Sequence, residues 1–363
     1  MKFVEEFRNE ELAKSLVKRL QEFSSLNINI NIMEVCGTHT MSIFRYGIRD
    51  ILPKNINLIS GPGCPVCVTP QSYIDKALEL ASRPDVIITT FGDMMRVPGK
   101  KGSLLKKKAE GADVRIVYSP MDAITIAENN PNKKVIFLSV GFETTTPMTA
   151  ITAIEAKKKN VNNLLFLTSH KIVPPVMEAL VQDTELKLDG FLLPGHVSAI
   201  IGTKPYEFLS EKHNIPAVVT GFEPTDILQG INNLIDMIYK NEHRITNEYK
   251  RIVRADGNPI AMEYLDKVFE VVDTRWRGIG LIPNSGYIFN KDYEEFDALK
   301  HFDMEYEEYD GSPGCKCGEI LKGKITPLQC PLFKKACTPE NPIGSCMVSS
   351  EGSCAAFYRY HNV

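Results

Sequence analysis

Apolar residues recur along this chain with two periods. Near the start, Leu12, Leu16, Val17, Leu20 and Phe23 share one face of a 3.6-residue repeat, which predicts a helix over 8–23. Thereafter short, β-branched apolar runs occur at about 28–35, 57–60, 85–90, 113–118, 135–140, 164–168, 190–193 and 216–220. Their starts lie roughly 22–30 residues apart, the length of one strand plus one crossover helix. Thr69-Pro70 and Thr146-Pro147 set a capping hydroxyl beside a proline, a start signal for intervening helices. Alternation of this kind predicts an α/β architecture of parallel sheets covered by helices.

Eight such units would suit a closed (β/α) barrel. The polar break Asn129-Asn130-Pro131-Asn132 argues instead for two similar parallel-sheet α/β domains. Gly141-Phe142-Glu143 and Gly221-Phe222-Glu223 then follow the first and last strands of the second. From about 241 the rhythm ends, and 311–363 is dominated by Cys, Gly, Pro and Ser. Such a tail has little to build a core from, so a metal centre would organise it. The expected division is an N-terminal helix (1–27) packing on the third domain, α/β domains at 28–130 and 131–240, and a third, cysteine-rich domain at 241–363.

Composition narrows the class. Of 363 residues, 43% are hydrophobic and 24% charged, ordinary values for a soluble globular protein. A formal net charge of −3 excludes a basic nucleic-acid footprint. The runs Lys106–Lys108 and Lys157–Lys159 read as solvated helix faces. No apolar stretch reaches the roughly 18–20 residues that span a bilayer, and acids interrupt the start where a signal peptide is apolar. A cytoplasmic protein with no membrane partner is expected, and in that reducing compartment cysteine patterns point to metal or redox chemistry.

Nine cysteines lie in two groups at opposite ends. Cys36 sits in Cys-Gly-Thr-His-Thr (36–40) with His39, and Cys64 and Cys67 in Gly-Pro-Gly-Cys-Pro-Val-Cys (61–67). Both segments follow predicted strands, where open α/β sheets bind ligands. A two-residue spacing permits a reversible disulfide or a shared metal, and a thiolate beside imidazole suits iron. Asp93 and Arg96, Glu143, His170, His196 and Glu223 also follow strands. Each has a bland reading as a cap, a core histidine or a surface pair. The remaining cysteines, Cys315, Cys317, Cys330, Cys337, Cys346 and Cys354, are spaced C-x-C-x12-C-x6-C-x8-C-x7-C. That pattern is neither a zinc ribbon nor a bacterial ferredoxin run. A 4Fe–4S cluster with a spare thiol pair would use all six; structural zinc with two idle cysteines is the plainer alternative.

Six segments in one order resemble the HypD family, iron–sulfur proteins of nickel–iron hydrogenase maturation. They are 36–40, 61–67, Thr-Phe-Gly-Asp-Met-Met-Arg-Val-Pro-Gly (90–99), Gly-Phe-Glu-Thr-Thr (141–145), Pro-Gly-His-Val-Ser (194–198) and Pro-Ile-Gly-Ser-Cys through Cys-Ala-Ala (342–356). The resemblance covers essentially the whole chain. It implies a redox-active scaffold, rather than a conventional turnover enzyme, on which the Fe(CN)2(CO) moiety is assembled. Its implied partners are a small HypC-type chaperone and a HypE-type cyanide donor. Cys36 would hold the iron jointly with the chaperone, His39 would support it, and Cys64 and Cys67 would act as redox couple or transient iron ligands. The resemblance, with its likeness to ferredoxin:thioredoxin reductase, further implies Cys315, Cys330, Cys337 and Cys354 as 4Fe–4S ligands and Cys317 and Cys346 as the adjoining thiol pair. Spacing alone does not choose this split. A cluster-dependent protein disulfide reductase is the rival, and it leaves Cys36 and His39 without a role.

Overall fold

A computed structural model of the chain describes residues 9–25, 28–304 and 314–361. Among these the strands are β1 (Ile30–Glu34), β2 (Ile56–Ser60), β3 (Val86–Thr90), β4 (Val114–Ile116), β5 (Lys134–Gly141), β6 (Leu164–Lys171), β7 (Gly190–Pro194), β8 (Ala217–Thr220), β9 (Ile245–Asn247), β10 (Phe269–Trp276) and β11 (Gly280–Phe289). The eight apolar runs coincide with β1 to β8. They form two sheets, not one closed barrel.

The first sheet has the order β2-β1-β7-β8-β9 and is parallel throughout. The second has the order β10-β11-β6-β5-β3-β4, parallel from β6 to β4 with an antiparallel hairpin, β10–β11, laid on its edge. The sheets therefore do not divide at 130 as expected. After β2 the chain lays four strands into the second sheet, then returns at β7 beside β1, where Ile32 pairs with Gly190. Asn129–Asn132 is only the turn between the helix Asp122–Glu128 and β5. Strand-plus-helix spacing reports the size of each unit and says nothing of the edge on which the next strand lands.

The N-terminal helix spans Glu10–Glu22, with Leu12 N–H donating to the Asn9 side chain at 3.0 Å. Leu16 and Leu20 are buried, while Leu12 is exposed. This helix does not lie on the C-terminal region as expected. Its apolar stripe packs with Ile227, Ile231 and Leu234 of the helix Pro224–Tyr239, which covers the first sheet. Asn232 donates to Leu16 O at 3.2 Å, and Arg19 pairs with Asp236.

Residues 241–304 do not form a separate body with the tail either. β9 extends the first sheet and the hairpin extends the second. Trp276, at the end of β10, is fully buried, stacks on Phe142 at 5.7 Å and donates to Ser285 Oγ at 2.9 Å. The tail's buried side chains, among them Cys317, Ile320, Cys346 and Phe357, share one core with Met33, Val35, Phe44 and Phe142. Phe357, in the helix Ser353–Tyr360, meets Phe44 at 4.4 Å. The tail thus takes its apolar support from the strand ends it covers.

Candidate functional site

Cys36 lies two residues beyond β1 and precedes the helix Gly37–Arg45 as its N-cap. The Cys64 loop is bound tightly to it. Gly37 N–H donates to Gly63 O at 2.8 Å, and a side chain on Gly63 would place its Cβ 2.3 Å from Cys36 N. Glycine is required at 63 because the two backbones touch. Cys64 and Cys67 are joined as a disulfide, with Cα atoms 5.2 Å apart, at the start of the short helix Pro65–Val68.

The tail closes over both loops. Ser345 Oγ donates to Cys67 O at 3.0 Å, which sets Cys346 beside the Cys64–Cys67 pair. Cys346 hydrogen-bonds Cys317, whose sulfur accepts from Cys315 at 3.1 Å. Cys354 lies within the field of Cys317, Cys315, Cys337 and Cys330. All six tail cysteines are therefore brought together, and they continue the line that begins at Cys36. Among the described residues no three His, Cys, Asp or Glu side chains converge on one point at ligand distance.

The electrostatics are those of a site short of cations. Burial, with the Glu351 carboxylate nearby, pushes the Cys36 thiol up to about 12. Burial likewise raises Cys354, and the hydrogen bond to Cys317 together with burial raises Cys315. Burial raises Glu34 to about 7, although it accepts from Thr40 Oγ1 at 2.7 Å. Burial disfavours the charged form of each of these groups.

His39 is fully buried, and its Nε2–H donates to Gly221 O at 2.9 Å. Nδ1 has no partner among the described residues, and burial depresses the imidazole to about 4. It is therefore a neutral ring presenting a free acceptor nitrogen. Phe222 is stacked between His39 at 4.6 Å and the exposed His196 at 4.0 Å, so these two histidines do share a locus.

The other strand-tip residues are structural. Glu223 forms a capping box with Asp226 at the start of Pro224–Tyr239. Glu143 Oε1 accepts from Val173 N–H at 2.9 Å, and His170 Nε2 meets Thr149 Oγ1 at 3.2 Å. Arg96 is not half of a surface pair with Asp93. It donates to Pro339 O at 3.3 Å and Val348 O at 3.1 Å, clamping the tail. Glu34, Arg277 and Glu351 were not marked by the sequence as site residues. Glu351 accepts from Thr38 Oγ1 at 2.7 Å, and its only sequence signal is an acid inside a run of small residues.

Two α/β sheets, with thiols from both chain ends collected at their carboxyl edges, define an α/β protein with a thiol-lined site. The comparisons with known proteins make this specific. A family profile described as "HypD: Hydrogenase formation hypA family" matches residues 11–361. The hydrogenase maturation factor HypD2 of Bradyrhizobium diazoefficiens is 47% identical over 99% of this chain and 97% of its own. The hydrogenase maturation factor HypD of Escherichia coli K12 is 47% identical over 99% of this chain and 98% of its own. A putative hydrogenase expression/formation protein of Methanocaldococcus jannaschii is 45% identical over 97% and 98%. The chain belongs to the HypD family of hydrogenase maturation factors. No helix among the described residues is long and apolar enough to cross a membrane.

Proposed function

We propose that the protein is the scaffold on which the Fe(CN)2(CO) moiety of a nickel–iron hydrogenase is assembled. Iron is the cargo, held at Cys36 jointly with a thiolate of a small HypC-type chaperone, and a HypE-type partner delivers cyanide. The observation that carries this reading is that the Cys36 loop lies against the Cys64–Cys67 loop, which in turn is bonded to the cysteine tail at Ser345. Such an arrangement suits a metal held at one loop with electrons stored beside it.

The chemistry asks little of remote residues. Cys36 binds as thiolate, and ferrous iron supplies the positive charge that its buried site lacks. The proton that Cys36 gives up goes to solvent, and the free Nδ1 of the neutral His39 is a nitrogen that could coordinate the iron. Release of cyanide from a partner's S–C≡N group breaks the S–C bond, takes two electrons and leaves a partner thiolate and cyanide. The Cys64–Cys67 dithiol holds two electrons, releasing two protons as the disulfide forms.

For the tail, the donor set suits a 4Fe–4S cluster: six gathered thiols, of which burial makes Cys317, Cys346 and Cys354 costly to ionise. Cys315, Cys330, Cys337 and Cys354 would hold it, leaving Cys317 and Cys346, already in contact, as the thiol pair. Such a cluster supplies electrons one at a time. The rival disulfide reductase accounts for the tail and Cys64–Cys67 but not for the buried Cys36–His39 locus.

Infrared spectroscopy on protein purified anaerobically with its candidate chaperone tests the scaffold reading. Two cyanide bands and one carbonyl band, lost in Cys36→Ala, are expected. Their absence from a sample that carries its full iron–sulfur content overturns the scaffold and favours the reductase.

A further inference from the structure

Arg277 is a feature of the thiol region that neither the disulfide nor the hydrogen bonds around it explain. It follows Trp276, whose burial and stacking on Phe142 fix the end of β10. Its own N–H donates to Val68 O at 2.7 Å, one residue beyond Cys67. The next residue, Gly278, has φ +73°, and a Cβ there would lie 2.2 Å from Gly318 Cα. The chain around Arg277 is thus pressed between the Cys67 turn and the helix that starts at Cys317.

The side chain is only 4% exposed. Its Nε and Nη2 are buried with no hydrogen-bond partner among the described residues. Trp276 and Ile279, on either side of it in the chain, pack in one core with Cys315, Cys317 and Cys346. A buried arginine with two idle donors is costly: each unpaired donor costs about 1–3 kcal/mol, and more when charged. Evolution does not need an arginine to fill space between two sheets. The chemistry that would satisfy it is an acceptor of negative charge, and the neighbouring acceptors are sulfurs.

Resting on the cluster reading above, we infer that Arg277 is the positioning counter-ion of the tail's iron–sulfur and thiol site. Its Nε–H and Nη2–H donate to the sulfurs once these are ionised, in a forked arrangement that lysine cannot reproduce. Hydrogen bonds to sulfur and a nearby positive charge favour the reduced, more negative state, and so raise the cluster potential.

The test uses the full chain purified anaerobically with its iron, as wild type, Arg277→Gln and Arg277→Lys. Iron and sulfide content is measured first. The cluster midpoint potential is then measured. Arg277→Gln is expected to shift the potential negative. Arg277→Lys, which keeps the charge and loses the fork, is expected to shift the potential in the same direction by less. It also remains informative should the glutamine variant fail to fold. A wild-type potential in either variant that carries its full iron overturns the inference. If wild-type protein holds no cluster at all, the cluster reading itself falls, and this inference with it.

Discussion

Thr38 donates its hydroxyl to the carboxylate of Glu351 across 2.7 Å, joining the loop after the first strand to the cysteine tail 313 residues later. Glu351 also packs its Cβ and carbonyl where Gly37 has no side chain. Removing the donor leaves a mostly buried carboxylate short of a partner, at a local cost of about 1–3 kcal/mol. Thr38→Val should therefore speed amide exchange across 345–361 by about tenfold or more, by the exponential relation of opening to free energy. Unchanged exchange there, measured by mass spectrometry, would show that the tail is held without this bond.

Arg96 holds the tail from the other side through two carbonyl acceptors, Pro339 O and Val348 O. Arg96→Ala should destabilise tail docking by about 1–3 kcal/mol, the range for charged hydrogen bonds. It should leave the sheets intact. Denaturation followed in parallel by circular dichroism and by iron release is the measurement: iron release should move to lower denaturant while the helical signal does not.

Burial holds Glu143 up at about 7. A carboxyl raised in the folded state binds its proton more tightly there than when unfolded. Its contribution is complete below the unfolded value near 4.5 and is lost as pH rises through about 7. His39, depressed to about 4, and His170, depressed to about 3, work in the opposite sense over the acid part of that range. Comparing wild type with Glu143→Gln cancels the histidines. The Tm difference, wild type minus variant, should fall as pH is raised from about 5 to about 8. A difference that stays constant would mean that Glu143 is ionised throughout.

On the cluster reading, loss of the iron should be visible as loss of order in one place. The tail gathers six cysteines, so stripping iron with an oxidant and chelator should expose 314–361 while both sheets persist. Limited trypsin digestion is expected to cut first after the exposed Lys334 and Lys335. Cleavage within β5 or β6 at the same rate would contradict a metal-organised tail.

Much of this was legible in advance, and the failures have physical causes. The β-branched runs located β1 to β8 because fully buried parallel strands need continuous apolar segments. The hairpin β10–β11 was not recognised. Phe-Glu-Val-Val-Asp-Thr-Arg-Trp exposes Glu270 and Val271, and an edge pair with one wet face lacks such a run. The interleaving of the sheets was invisible because pairing is decided by contacts far apart in sequence. The cysteines could be read from spacing and company. Glu34, Arg277 and Glu351 could not, since a charged residue carries no mark in the sequence that it will be drawn into such a site.

The pairing of β1 with β7 also constrains the order of events during synthesis. β1 and β2 leave the ribosome early, yet their sheet lacks its central strand until Gly190 has been made, because Ile32 pairs there. Closing so long a loop makes folding slow and late rather than stepwise from the N-terminus. Cys36, Cys64 and Cys67 thus spend that interval on an unfinished chain, open to stray metals and oxidants. They acquire their shelter only when the last fifty residues arrive. On the scaffold reading proposed above, iron is loaded onto the completed chain and not during translation.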